Sequence, residues 1–280
     1  MKIRNLIREG VKDEYGVLEL QNVILNIMLY IDRLCQENGI QYYIIGGTAL
    51  GAVRHGGFIP WDDDLDIAMT RYNYNKFIAL CNSDKFDNTH FYFQEGTKDW
   101  TSYFSKVRLL DTVFEEVGDD ESVDIGKKGI FVDIFPLDNV PNDPIRKLWW
   151  YFCGKLLVAY ETSTHNYTTK SIMKKLAMKF ASILKNQSLR HYFERQVEKY
   201  NGKETGLIGG HSLVSRFHNT FIQSDIWGTP IRIPFETITL SAPYDISRFL
   251  KFYFGNYMEL PPLEKRKGHH MIKVNFGPYK

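Results

Sequence analysis

Within Ile45–Met69, IGGTALGAVRHGGFIPWDDDLDIAM, a Gly46-Gly47-Thr48 turn precedes four aspartates, Asp62, Asp63, Asp64 and Asp66. Such a pairing suits phosphoryl transfer. Glycines lack the Cβ that would keep a phosphate from the backbone amides, and Thr48 can cap a following helical turn whose amino end attracts anions. The residues from Asp64 onward read as a strand entering the core. Alternation then sends Asp62, Asp64 and Asp66 to one face and Leu65 and Ile67 to the other. Carboxylates side by side on a buried face repel, and they are usually neutralised by hard divalent ions shared with substrate phosphates. Gly-Gly-Thr alone fits a bare turn and an aspartate triplet alone fits a solvated loop, but the apolar Leu65, Ile67, Ala68 and Met69 argue against solvation.

Gly129–Pro136, GIFVDIFP, offers another carboxylate. Asp133 is the sole charge in this strand-like run, which a proline ends. A buried lone aspartate is a site candidate; the alternative is a carboxylate satisfied by backbone amides at the strand's end. Cations stand nearby in sequence. Arg54 and His55 follow the glycine turn, and Lys106 and Arg108 alternate so as to share one strand face. Beside a metal site that pair would suit a diphosphate, Arg as a fork and Lys as a point charge, whereas on an edge strand both would simply face solvent. Trp61 is expected to pack beneath the acidic loop rather than to stack on a base.

The elements that must position these residues read as α/β or α+β. An amphipathic helix is predicted over about 19–38, with Leu20, Val23, Ile24, Ile27, Ile31 and Leu34 on one stripe and Gly39 as its stop. Strands follow near 41–45, 65–69, 91–94, 103–110 and 130–135, with a helix near 73–81. After Pro141 the character becomes helical, near 144–160, 171–185 and 188–200, and a short strand pair near 231–240 precedes a helix near 245–254. The 280 residues carry no repeat, low-complexity tract or Gly/Ser linker. The expected division is a catalytic core over 1–140 and a mainly helical lobe over 141–280 that completes the site, the two forming one integrated unit.

The glycine-turn and aspartate string resembles the signature of the LicD family of phosphocholine transferases, within the nucleotidyltransferase superfold. Later segments agree: YFSKVRLLDT (Tyr103–Thr112), FVDIFPLD around Asp133, and YFGNYMELPPLEKRKGHH (Tyr253–His270). The resemblance implies an α+β fold with a mixed sheet flanked by helices and a helical carboxy-terminal lobe. It implies transfer of a phospho-alcohol, most simply phosphocholine, from a CDP-alcohol to a sugar hydroxyl of a glycopolymer or lipid-linked acceptor, with CMP released. Asp64, Asp66 and Asp133 would be the catalytic carboxylates: Asp64 and Asp66 would hold one or two Mg²⁺ ions, Mn²⁺ being a substitute, with Asp62 in support, while Asp133 would bind the second ion or take the acceptor proton. Gly46, Gly47, Thr48, Arg54, Lys106, Arg108, His269 and His270 would bind the donor; composition alone equally fits a flexible basic tail around the two histidines. A nucleotidyltransferase releasing pyrophosphate from an NTP, or a silent scaffold in polysaccharide assembly, are the other readings.

Charge is uneven under a formal net of +2. Residues 111–143 hold ten acidic side chains against Lys127 and Lys128, most of them expected in a solvated loop. Residues 144–200 hold eleven Lys and Arg against Glu161, Glu194 and Glu198. That basic stretch, opening with Trp149, Trp150, Tyr151 and Phe152, suits either an anionic membrane surface or an ordinary lobe exterior. No nucleic-acid motif accompanies it. The amino terminus lacks a signal-peptide core, and Cys35, Cys81 and Cys153 are too few and too scattered for a disulfide framework. Cytoplasmic placement is expected, with peripheral contact at the inner membrane face as the alternative.

Overall fold

The computed structural model describes residues 1–96, 102–116, 127–164, 169, 171–213, 217–268 and 271–279. Helix α1 (Leu18–Glu37) buries Val23, Ile24, Ile27 and Ile31 and stops where Gly39 adopts φ +61°. Strand β1 (Tyr43–Ile44) leads into α2 (Gly46–Arg54), then β2 (Asp66–Thr70) and α3 (Arg71–Cys81). Strands β3 (Phe91–Gln94), β4 (Ser105–Leu109), β5 (Val113–Glu116) and β6 (Phe131–Asn139) follow. The remainder comprises α4 (Pro144–Thr164), α5 (Ile172–Ala181), α6 (Gln187–Glu198), β7 (Leu207–Gly209), β8 (Ile222–Gln223), α7 (Ser224–Trp227), β9 (Ile231–Phe235), β10 (Ile238–Ala242), α8 (Ile246–Phe254) and β11 (Met271–Asn275).

The main sheet runs β1-β2-β6-β4-β3, with β7 on the far part of β6 and β8 beyond it. Among the described residues only β2 and β6 pair in parallel, and the other pairs are antiparallel. The fold is therefore α+β with a mixed sheet flanked by helices. One apolar cluster joins α1, the sheet and the returning segments that carry Trp227, Phe235, Leu240 and Phe249. A smaller one binds α4 and α6 through Trp150, Cys153, Leu157 and Val197, with Tyr103 and Val140 from the sheet side. Among the described residues no helix is long and apolar enough to cross a membrane.

Besides β7, β8, α7 and β11, which the sequence reading did not anticipate, two segments depart from it. The acidic stretch was expected to be mostly loop, yet its Val113–Glu116 forms β5, which pairs with β11 from the tail. Four residues with two β-branched or aromatic side chains are too short a run to announce a strand; the pairing partner makes it one. The segment beginning at Gly46 is likewise a nine-residue helix rather than a single turn.

The lobe is pinned to the sheet by a buried charge. Asp138, wholly buried on β6, accepts from Arg71 Nε and Nη2 at 2.8 Å each and from Asn201 Nδ2 at 2.6 Å. Arg71 also reaches Glu198 of α6 at 3.3 Å. Burial alone would push the Asp138 carboxyl up, but the Arg71 guanidinium holds it well below the usual range. We expect Asp138→Ala to cost about 3–5 kcal/mol in urea unfolding, because it strands Arg71 in the interior. Since the folded carboxyl ionises at lower pH than the unfolded one, the wild-type advantage should be complete at neutral pH and should shrink as pH falls below about 4. A loss under about 1 kcal/mol would show that the pair is not what joins sheet to lobe.

Candidate active site

Gly46 sits at φ +55°, a left-handed conformation that glycine tolerates and side chains resist. A Cβ on Gly46 would lie 3.2 Å from Asp66 Oδ2, and one on Gly47 would lie 2.6 Å from Asp62 Oδ2. The turn thus presses directly on the acidic run. Thr48 is not a helix cap: it lies inside the first turn of α2, and the residue before that helix, Ile45, makes no side-chain cap. Its buried hydroxyl instead accepts from the Asp66 amide at 2.9 Å, while the Ile45 amide donates to the Asp66 carbonyl at 3.2 Å. Turn and strand are locked together at Asp66.

Asp66 pairs with Asp133 across the parallel strands, and Asp133 pairs with Lys106, which pairs with Gln94. Register partners project to the same side, so these four residues form one row across one face. Asp62 and Asp64 join it from the extended run before β2, where Asp63 and Leu65 are buried between them. Desolvation first, then Asp64, Asp133 and Asp62 in turn, push the Asp66 carboxyl well above the usual range. Asp62 is raised by burial and by Asp64 and Asp63, although Arg54 works against this. Asp133 is pushed up to about 6, chiefly by burial and against the pull of Lys106.

Lys106 is the cation within the row. Its Nζ lies 3.1 Å from Asp133 Oδ1, 3.1 Å from Glu116 Oε2 and 3.3 Å from the centre of the Phe131 ring. The approach to Asp133 Oδ1 lacks hydrogen-bond geometry, so this buried oxygen has no directional partner. Arg108, two residues on along the same face, donates to Gln94 Oε1 at 2.6 Å and to the Gly129 carbonyl at 2.9 Å. Both cations are buried, which rules out the solvent-facing edge-strand alternative.

A second basic group borders the other end. Arg54 closes α2 and donates through Nη1 to the carbonyls of Tyr257 at 3.1 Å and Glu259 at 3.2 Å. Arg266 lies over Trp61, 5.6 Å from the ring. Burial, then Arg54, Arg8 and Arg266, lower His55 to about 4, so its imidazole is neutral at pH 7. Trp61 is buried against Tyr15 and His55, as packing beneath the loop requires. The closing segment is drawn in as well, because the Met271 amide donates to Asp63 Oδ2 at 2.9 Å.

Comparison with known proteins fits this geometry. The family model described as LicD/FKTN/FKRP, nucleotidyltransferase domain, matches residues 39–154. The lipopolysaccharide cholinephosphotransferase LicD of Haemophilus influenzae is 30% identical over 268 residues, 90% of this chain and 95% of that protein. The chain belongs to the LicD family. It is a transferase of the LicD type, with the family's nucleotidyltransferase-like core. The human ribitol 5-phosphate transferase FKRP is 42% identical over 40 residues, 14% of this chain and 8% of that protein. An uncharacterised Rickettsia prowazekii protein is 50% identical over 46 residues, 16% of this chain and 17% of that protein.

In this candidate site the structure brings together Gly46, Gly47, Thr48, Asp62, Asp64, Asp66, Asp133 and Lys106, with Arg54 at one border and Arg108 along the sheet face. His269 and His270 lie outside the described residues. The sequence reading missed Glu116 and Arg266, the first as part of a charge run and the second as part of a basic tail; only the β5–β11 pairing and the stacking on Trp61 single them out. Among the described residues no three Asp, Glu, His or Cys side chains already converge to cage an ion. The donor set nevertheless suits Mg²⁺, which is commonly held by one or two carboxylates together with substrate phosphates rather than by a closed protein cage. The Asp66 carboxyl, pushed up by burial and by Asp64, Asp133 and Asp62, is one that a nearby cation would relieve.

One consequence is readable without activity. In chelator, Asp66→Asn should raise the melting temperature, corresponding to a gain on the order of 1 kcal/mol, since it removes an uncompensated buried charge. The folded Asp66 carboxyl binds its proton more tightly than the unfolded one, so the gain should shrink as pH falls and the wild-type group becomes neutral too. Destabilisation at pH 8 would mean that Lys106 already balances the row.

Proposed function

We propose that this LicD-family protein transfers a phospho-alcohol, most simply phosphocholine, from a CDP-alcohol to a sugar hydroxyl of a cell-surface glycopolymer or glycolipid precursor, releasing CMP. The observation that carries the reading is the strand register that sets Asp66, Asp133 and Lys106 in one row against the Gly46-Gly47 turn. The activities that name two relatives, a cholinephosphotransferase and a ribitol 5-phosphate transferase, are both phospho-alcohol transfers. What they share is the transfer of an alcohol's phosphate ester rather than the identity of the alcohol.

In this reading Asp64 and Asp66, with Asp62 beside them, hold Mg²⁺ or Mn²⁺. The bound ion would neutralise the diphosphate and stabilise charge building on the leaving phosphate. Gly46 and Gly47 admit the diphosphate close to the amino end of α2, where free amides favour anions. Lys106 offsets charge on the phosphorus under attack, and Arg54 does so from the α2 end; Arg108 holds Gln94 and the Gly129 carbonyl so that the Lys106 end of the row keeps its shape. Asp133, whose carboxyl shares the Lys106 ammonium with Glu116, takes the proton of the attacking hydroxyl. A carboxyl raised to about 6 is basic enough to do so near neutral pH.

Incubating the protein with a panel of CDP-alcohols, Mg²⁺ and a glycan acceptor tests the reading. Formation of CMP in step with modified acceptor is expected, lost in chelator and reduced roughly a thousandfold or more by Asp66→Asn, about 4 kcal/mol of transition-state stabilisation. Pyrophosphate released from CTP while every CDP-alcohol stays inert would replace this reading with nucleotidyl transfer.

A further inference from the structure

The helical lobe leaves an apolar surface that its own packing does not use. Helix α5 buries Ala181 alone among its ten residues. Ile172, Met173, Leu176 and Phe180 are between 56% and 77% exposed, and at 3.6 residues per turn they fall within an arc of about 100°. Helix α4, against which α5 packs, repeats the pattern. It turns Trp150, Cys153 and Leu157 inward yet exposes Ile145, Leu148, Trp149 and Phe152 on a neighbouring stripe. A helix of this length draws little stability from propensity alone, and most helices gain theirs by burying an amphipathic face. Here that face looks outward.

The charge around it selects the occupant. Lys175 and Lys179 border the α5 arc, and Arg146 follows Ile145 on α4. No acidic residue occurs in α5, and none in α4 before Glu161. Pairing with a second copy across a two-fold axis would set lysines against lysines. An apolar arc edged by cations instead matches the boundary between acyl chains and anionic headgroups.

We infer that α5, flanked by the exposed stripe of α4, is a membrane-docking helix that seats Ile172, Leu176 and Phe180 in an anionic lipid surface. This goes beyond electrostatic adhesion of a basic lobe, because it requires apolar side chains to enter the bilayer. Docking needs neither donor nor acceptor, so it stands or falls separately from the proposed reaction.

The test is cosedimentation of the full-length protein with vesicles of phosphatidylcholine alone or mixed with phosphatidylglycerol, together with quenching of tryptophan fluorescence by brominated lipid. Binding is expected on the mixed vesicles, weakened by salt, and with quenching that Trp149→Phe removes. The exposed-site double variant L176E/F180E, with unchanged circular dichroism, should bind at least tenfold more weakly. Undiminished binding by that variant, absence of binding at low salt, or binding without quenching would overturn the inference. So would a lipid-free dimer that the same substitutions dissolve.

Discussion

Repulsion between carboxyl groups is the constraint around which the rest of this molecule is arranged. Asp66 and Asp133 are register partners on adjacent parallel strands, about 5 Å apart at the backbone, and Asp62 and Asp64 extend the same charged row. Left to themselves such groups would protonate or turn to solvent. They are kept in place because the strands beneath them are fixed from the other face by the α1 and α3 packing and by apolar residues such as Ile67, Val107 and Ile134, all buried.

Compensation is partial, and that is the informative part. Lys106 is wedged among Asp133, Glu116 and Phe131, so one cation serves two carboxylates, while Arg54 tempers Asp62 from the other end. Asp66 is left with most of the burden. The glycines explain how the acidic row can be approached at all: Gly46 and Gly47 bring main chain where any Cβ would touch an aspartate oxygen. A fold under selection for stability alone would replace such a row with apolar side chains, since buried charges are costly even when paired. Keeping it fits a row that is completed by substrate and cation.

Much of this was legible in the residues. Alternation through Asp62, Asp64 and Asp66 carried the correct face, and the β-branched runs located β2, β4 and β6. The helix over Leu18–Glu37 was visible in its stripe and its glycine stop. What stayed hidden depends on partners distant in sequence. Nothing local reveals that Asp133 lies opposite both Asp66 and Lys106, or that Thr48 spends its hydroxyl on the Asp66 amide instead of capping a helix. Glu116 looked like one more charge in an acidic run until β11 returned to pair with β5. The tail's hold on Asp63 through the Met271 amide is equally non-local. Sequence periodicity reports which face a side chain takes, whereas register across strands decides whom it meets.

The central claim is the proposal that Asp64 and Asp66, with Asp62 beside them, share a divalent cation with a CDP-alcohol. Manganese binding followed by electron paramagnetic resonance, with and without CDP-choline, addresses it most directly. The account predicts weak Mn²⁺ binding to the protein alone, at least tenfold tighter binding when CDP-choline is present, and loss of that tightening in Asp66→Asn. Mn²⁺ binding indifferent to CDP-choline, or unchanged by Asp66→Asn, would contradict it.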